Sequence, residues 1–360
     1  MLRDLLEALV VVSEKAANIA RICRQDDHLF GLLVQEKEAD QSNPRFVQDF
    51  KTLADVLIQE TVKHDIGNAF PVLRDKIHGE EDNVFCNTLG EEIRVEIQTS
   101  SEATAELLEK VLDGDGAAAR LLANEVHREI SASGIPEIPS GIPAGNVGIW
   151  IDPIDSTAEY IGAKETRTDC GVSVSGLSCV TVLIGVYQIE TGLPILGIVN
   201  QPFSELAEDN RWRGRCHWGV SLDDLKLCSA QPTHHRGSKL VCLSSSEDAA
   251  IKEKLESKGF RLIEAAGAGY KILCTITGSA DAYVLSKGST YKWDTCGPQA
   301  VLKSLGGDVV QYSQALEDNL ISVNYPTDYE NKLESCCNRS GLIAYRDPSI
   351  LQDIYDALKA

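Results

Sequence analysis

The sequence predicts a mixed α/β protein built in layers. Three observations point there. The first third is spaced like helices, the stretch from residue 146 onward alternates β-branched runs with helical ones, and no repeat or low-complexity linker divides the 360 residues. The chain therefore reads as one compact unit over 1–360, with approximate halves 1–205 and 206–360. Leu2, Leu5, Leu6, Leu9 and Val10, then Ala16, Ile19, Ala20 and Cys23, recur at helical spacing. A second helix is expected near 46–64, with Phe50, Leu53, Ala54, Leu57 and Ile58 as its buried stripe. Gln48, Thr52, Asp55 and Gln59 fall on another face of it. EEIRVEIQTS alternates like a strand, and SEATAELLEKVLDGDG and AAARLLANEVHRE then read as two shorter helices.

From 146 the character changes. NVGIWIDPID reads as a strand ending in a polar turn, and LSCVTVLIGVYQIETGLPILGIVNQPF as a hairpin turning at Glu190-Thr191-Gly192. KLVCLSSSEDAAIKEKLESKG is strand, serine-rich cap and helix, the run from Ser244 to Glu247 having capping-box spacing. AAGAGYKILCTITG opens as a small-residue loop and becomes a helix. ADAYVLSKGSTYKWDTCGPQAVLKSLGGDVVQY is strand, loop, helix, strand. Stretches 133–146 and 206–237, rich in Pro, Gly, Ser and charge, are expected as exposed loops.

A hydrophobic content of 43% with 24% charged residues belongs to a folded chain. The balance of 34 basic against 54 acidic residues, a net charge of −20, argues against nucleic acid and anionic membranes as partners. It leaves room for a small anionic substrate, because metal ions or a few local lysines reverse the field inside one cleft. Eleven cysteines without a CxxC pair, Cys336 and Cys337 being adjacent, suit reduced thiols. The N-terminal stretch carries Asp4, Glu7 and Glu14 and no cleavage signature, and no apolar run reaches membrane-spanning length, so a soluble cytoplasmic protein is expected. His28, His64, His78, His127, His217, His234 and His235 show no ligand spacing.

Three stretches gather carboxylates: HGEEDN with Glu80 and Glu81, WIDPIDST with Asp152 and Asp155, and KWDTCGP with Asp294. Singly, an aspartate at a helix start is an ordinary cap, and a Glu-Glu pair in a loop is ordinarily solvated. Together they suit hard divalent cations, which take carboxylate, carbonyl, water and phosphate oxygens. In Asp-Pro-Ile-Asp the proline fixes the backbone so that both aspartates can point one way, with the Ile154 carbonyl as another oxygen. Ser156 and Thr157 fall where a helix would begin, a place that attracts phosphate.

GEE, WIDPIDST and KWDTCGP, in that order, resemble the inositol monophosphatase family of Mg²⁺-dependent, lithium-sensitive phosphomonoesterases. The stretches VSEKAANIAR, DFKTLADVLIQE, CVTVLIGVY, NQPF, AAGAGYK and SGLIAYR extend the resemblance over nearly the whole chain. They are most similar to the branch that removes the 1-phosphate of inositol polyphosphates such as inositol 1,4-bisphosphate and inositol 1,3,4-trisphosphate. The alternative within the family is a 3′-phosphoadenosine 5′-phosphate 3′-nucleotidase with the same metal site. The resemblance implies an αβαβα sandwich of the inositol monophosphatase and fructose-1,6-bisphosphatase type. It implies two or three Mg²⁺ ions, Li⁺ as inhibitor, an inositol phosphate substrate and a monomer. It assigns Glu80, Asp152 and the Ile154 carbonyl to one metal, Asp152, Asp155 and Asp294 to a second, and Asp55 and Glu81 to a weaker site linked to lithium. Glu80, Thr157 and Asp55 are the implied catalytic residues, and Ser156, Thr157, Ser246, Gly267 and Lys271 the substrate contacts. The chain departs from the pattern at Asp248, where near relatives carry lysine.

Overall fold

The computed structural model describes residues 2–25, 30, 34–36, 50–139, 143–233, 239–317, 319–325 and 333–359. Helix α1 (Leu2–Gln25) buries Leu2, Leu5, Leu6, Leu9, Ile19, Ala20 and Cys23, the stripe its spacing predicts. Helix α2 (Leu53–Ala69) starts at Leu53 and not near 46, because a capping box stops it. Thr52 is extended and its side chain accepts from the Asp55 N–H, while the Asp55 carboxylate accepts from the Thr52 N–H. Phe50–Thr52 instead pairs with Val34–Glu36 as a short ribbon; Gln48 lies outside the described residues. Of EEIRVEIQTS, only Glu92–Arg94 is strand, paired with Val84–Cys86. Helices α3 (Ser101–Val111) and α4 (Gly116–Val126) pack together beside α1.

One sheet has six strands in the order β6-β5-β4-β3-β2-β1: β1 (Ile77–Gly79), β2 (Val147–Asp155), β3 (Thr181–Gln188), β4 (Pro194–Leu206), β5 (Trp212–Leu222) and β6 (Leu225–Cys228). Only the β1–β2 pair is parallel. All nine residues of β2 are buried, so both its faces are covered and its sequence is an apolar run without alternation. The β3–β4 hairpin turns where Glu190-Thr191-Gly192 places it. Residues 206–237, expected as an exposed loop, contain β5 and β6 instead. Arg213 and Arg215 on β5 are exposed, in the part of the strand that β6 leaves unpaired, and that charge disguised it as loop.

Helix α5 (Thr157–Gly162) follows β2. The second sheet has five strands, β7 (Leu240–Leu243), β8 (Arg261–Glu264), β9 (Ala282–Leu285), β10 (Asp308–Gln311) and β11 (Leu342–Tyr345), in the order β8-β7-β9-β11-β10. Helices α6 (Ala249–Ser257) and α9 (Pro348–Lys359) cover its outer face, α7 (Ala268–Thr277) and α8 (Lys292–Ser304) lie between the sheets, and α1 with α2 covers the first sheet. This is the expected layered αβαβα sandwich. The cap of α6 is Asp248, which accepts from the Ala250 N–H at 2.8 Å, and not the serine run. Glu247, the other half of the expected box, is buried and accepts from Ser286 N–H at 2.9 Å, holding the turn after β9.

Helix α8 rests on β3, β4 and β5 with backbone against backbone. A Cβ placed on Gly197 would collide with the Gly297 carbonyl, and one on Gly297 would lie 2.7 Å from the Ile184 carbonyl. No side chain cushions this contact, so the sheet sets the depth of α8 and of the residues at its start. All eleven cysteines are free thiols. No helix among the described residues is long and apolar enough to cross a membrane.

Candidate active site

In a regular strand, residues three apart point to opposite faces. Asp152 and Asp155 escape that rule through a bulge. Pairing with β3 passes from Asp152↔Leu183 to Asp155↔Thr181, so Pro153 and Ile154 together oppose Val182. The extra residue returns Asp155 to the face of Asp152. The strand thus runs through the acidic motif, and the turn expected there is a bulge inside β2. Proline, lacking an N–H, is tolerated at such a place. Ser156 then takes a left-handed φ of 75° and turns the chain into α5, where Thr157 Oγ1 donates to the Ile154 carbonyl at 3.1 Å.

Asp155 does cap a helix, but one more than a hundred residues further on. Its carboxylate accepts from Gly269 N–H at 2.9 Å and Ala268 N–H at 3.3 Å, at the start of α7, and from Thr181 Oγ1 at 3.1 Å. Gly267 makes the approach possible: its φ is +72°, and a Cβ there would lie 2.7 Å from the Cys179 carbonyl and 3.1 Å from Asp155 itself. Asp294, in the first turn of α8, accepts from Tyr291 N–H at 2.5 Å. Asp55 does the same for α2, accepting from Thr52 N–H at 2.6 Å and Thr52 Oγ1 at 2.7 Å. Asp55 and Asp294 thus cap the helices they begin and Asp155 caps a distant one, and these caps fix where the three carboxylates lie.

One oxygen each of Asp152, Asp155 and Asp294 lies within 4.8 Å of the others. Glu80 follows β1, its N–H donating to the Ile151 carbonyl at 3.2 Å, and faces the same cavity. The buried Glu81 is held by its backbone, which accepts from and donates to the Gln59 side chain. Neither Asp55 nor Glu81 lines the cavity, although the charge of Asp55 reaches Asp152. Burial pushes the Asp152 carboxyl well above the ordinary carboxylate range, and Glu80, Asp155, Asp294 and Asp55 push it further. Asp294 is raised by burial and then by Asp155 and Glu80. Asp155 is raised by burial, against which the Lys271 ammonium and its three hydrogen-bond donors pull down.

The cavity encloses about 450 Å³ and is walled by Glu80, Asp152, Asp155 and Asp294 together with Ser156, Thr157, Gly267 and Lys271. Lys271 is only 3% exposed, its Nζ donating to the Ala265 carbonyl at 2.9 Å and lying 5.0 Å from the centre of the Tyr283 ring. Ser246 stands outside the wall; its Oγ is 3.1 Å from that of Ser244, which with Ser245 does line the cavity. Asp248 is turned to the start of α6. Sequence reasoning missed Thr181, Glu264 and the stacked pair Tyr291 and Trp293, whose rings lie 4.8 Å apart at 9°. Two aromatic residues within the three positions before Asp294 were the available signal for that pair; Thr181 and Glu264 had none.

Among the described residues no donor reaches the buried Asp152 Oδ1, which lies among carboxylates that repel it. A site of oxygen donors only, with an orphaned anionic atom at its centre, fits a hard divalent cation such as Mg²⁺.

A model described as the inositol monophosphatase family matches residues 4–350. The inositol polyphosphate 1-phosphatase of Mus musculus is 43% identical, over 99% of this chain and 97% of its own. The 3′(2′),5′-bisphosphate nucleotidase 1 of Mus musculus is 28% identical over 89% of this chain and 87% of its own. Among solved structures, the extragenic suppressor protein suhB from Bartonella henselae superimposes with a TM-score of 0.52 at 13% identity, over 98% of both chains.

Proposed function

The chain belongs to the inositol monophosphatase family, and on that footing we propose that it is a Mg²⁺-dependent phosphomonoesterase that removes the 1-phosphate from inositol polyphosphates. The observation that carries this reading is the meeting of Asp152, Asp155 and Asp294 within 4.8 Å, in a chain 43% identical to an inositol polyphosphate 1-phosphatase. Glu80, Asp152 and the Ile154 carbonyl would hold one ion, and Asp152, Asp155 and Asp294 a second. Asp55 and Glu81, behind the cavity wall, would support a weaker third site, the one at which Li⁺ would act. When bound, the ions neutralise phosphate charge and supply an activated water and a stabilised leaving oxygen.

The residues of the chain do the positioning. The Glu80 carboxylate accepts a proton from the attacking water, and Thr157 Oγ1, held by its bond to the Ile154 carbonyl, fixes that water's direction. Ser156, the Thr157 N–H and the backbone at Gly267 take the phosphate oxygens. Lys271, buried in the cavity wall, meets a further phosphate on the ring. Water adds to phosphorus as its proton passes to Glu80, the P–O bond to the ring breaks, and the departing inositol oxygen takes a proton from solvent. No serine phosphoenzyme forms.

A phosphate-release panel of inositol 1,4-bisphosphate, inositol 1,3,4-trisphosphate and 3′-phosphoadenosine 5′-phosphate, with and without Li⁺, tests the reading. Release from the inositol phosphates, suppressed by Li⁺, is expected. Release from the nucleotide and none from inositol 1,4-bisphosphate would establish the nucleotidase instead. Single turnover in ¹⁸O-labelled water should place the label in the released phosphate, and labelled protein would refute direct attack. The substrate is a small molecule, and the enzyme acts as a cytoplasmic monomer without nucleic acid or membrane partners.

A further inference from the structure

A larger cavity, about 590 Å³, lies on the opposite side of α7 from the acidic one. Helix α7 divides the two by its own periodicity. Lys271, with Gly267 and Ala268 at its start, faces the carboxylates, while Tyr270, Leu273, Cys274 and Thr277 form the wall of the second cavity. The remaining wall comes from β4 and β5 and the segments beside them, and its charged members are Arg167 and Arg215. No carboxylate lines it among the described residues, which is unusual in a chain of net charge −20. Arg167 donates to Ser178 Oγ at 3.0 Å; the same hydroxyl donates to Glu165 at 2.9 Å, behind the wall. Among the described residues neither arginine forms an ion pair. The other polar groups are hydroxyls and amides, including Gln201, whose Nε2 donates to the Ser178 carbonyl at 2.6 Å, and the imidazole of His217. Burial, with the Arg215 charge adding to it, lowers the His217 pKa to about 4, so at neutral pH the ring offers one donor and one acceptor and no charge.

We propose that this cavity binds a phosphorylated polyol, distinct from the substrate bound at the acidic site, with Arg167 and Arg215 on the phosphate and the hydroxyl-rich wall on the ligand's hydroxyl groups. Guanidinium forks match phosphate oxygens in pairs, and neutral hydroxyls and amides match a polyol. An occupant also bears on α7 from the side away from the carboxylates. The first turn of that helix holds Asp155 through the Ala268 and Gly269 N–H groups, so the occupied cavity changes the Mg²⁺ requirement of the acidic site. This last step rests on Asp155 being a metal ligand; the binding itself does not.

The test uses the full chain in EDTA, where the unscreened carboxylates repel anions from the acidic site. Calorimetric titration with glucose 6-phosphate should show one saturable site, tighter than for inorganic phosphate alone. The R167Q/R215Q variant should weaken it by about tenfold or more, while Asp155→Asn leaves it unchanged. Absence of saturation at millimolar ligand, equal affinity for inorganic phosphate, unchanged affinity in R167Q/R215Q, or loss in Asp155→Asn each overturns the proposal. With Mg²⁺ present, saturating glucose 6-phosphate should shift the Mg²⁺ concentration for half-maximal phosphate release in the wild type and not in R167Q/R215Q. The basal rate of that variant stays normal. No shift in the wild type refutes the link through α7.

Discussion

Asp152→Asn should make the metal-free protein more stable and the enzyme inactive. An oxygen of Asp152 lies within 4.8 Å of oxygens of Asp155 and Asp294. At an effective dielectric near 20, unit charges at that separation repel by about 3.5 kcal/mol. Asp152 escapes part of that by keeping a proton, its pKa being raised, so the relief from an amide is smaller, about 2 kcal/mol. For 360 residues this corresponds to about 3 °C in Tm. The pH dependence has a definite sign. Above the ordinary carboxylate range but below the raised native value, the native state binds more protons than the unfolded one, so stability falls as pH rises through that window. The advantage of the variant should therefore vanish below about pH 4 and grow towards neutrality. Added Mg²⁺ reverses the order, since a ligand at a hundredfold its Kd stabilises the wild type by about 2.7 kcal/mol. Scanning calorimetry of both proteins in EDTA and in Mg²⁺, across pH, reads all of this. A variant that melts below the wild type in EDTA at neutral pH, or whose advantage shrinks with rising pH, refutes the argument.

Thr181→Val removes a 3.1 Å hydrogen bond from Asp155 without touching the cavity, and should raise the Mg²⁺ concentration for half-maximal activity about tenfold while kcat at saturating Mg²⁺ stays close to normal. An unchanged Mg²⁺ titration would remove Thr181 from the account. Gly197→Ala drives a methyl into the Gly297 carbonyl and should cost about 3 kcal/mol or more, seen as a Tm lower by about 4 °C with a weakened Mg²⁺ response; a normal melt would show that α8 is free to shift. Lys271→Met takes away a cation that lowers the pKa of both Asp155 and Asp294, so the acidic limb of the pH–rate profile should move to higher pH. A limb in its original place would mean that the ammonium does not act on those carboxylates.

Much of this site was legible because its acids come in short, ordered clusters. GEE, DPID and WD each place a carboxylate where a strand ends or a helix begins, and the layered fold followed from runs of β-branched and helically spaced residues. Thr52, Asp55 and Gln59, polar and set apart from the apolar stripe, read as a surface face; they are buried instead, Thr52 bonding Asp55 and Gln59 bonding the backbone of Glu81. The errors share a cause: local pattern was overruled by partners far along the chain. Glu247 left its capping box for Ser286, and the charged strand β5 was stabilised by β4 and not by its own composition. Glu264 and Thr181 reach the site only because β8 ends and β3 begins beside it. A helix start likewise moved from 46 to Leu53, because a side-chain pair outbid periodicity.

The bulge in β2 makes the joint presence of Asp152 and Asp155 a matter of arithmetic as much as of charge. A chain that kept both acids and both intervening residues but paired regularly with β3, without the bulge, would send the two carboxylates to opposite sides, retaining its full complement of acidic groups and no centre. The register of β2 against β3 therefore matters as much as the acids themselves. An odd interval between two buried acids in an otherwise apolar strand, with proline inside it, is a parity signal that can be sought in any sequence.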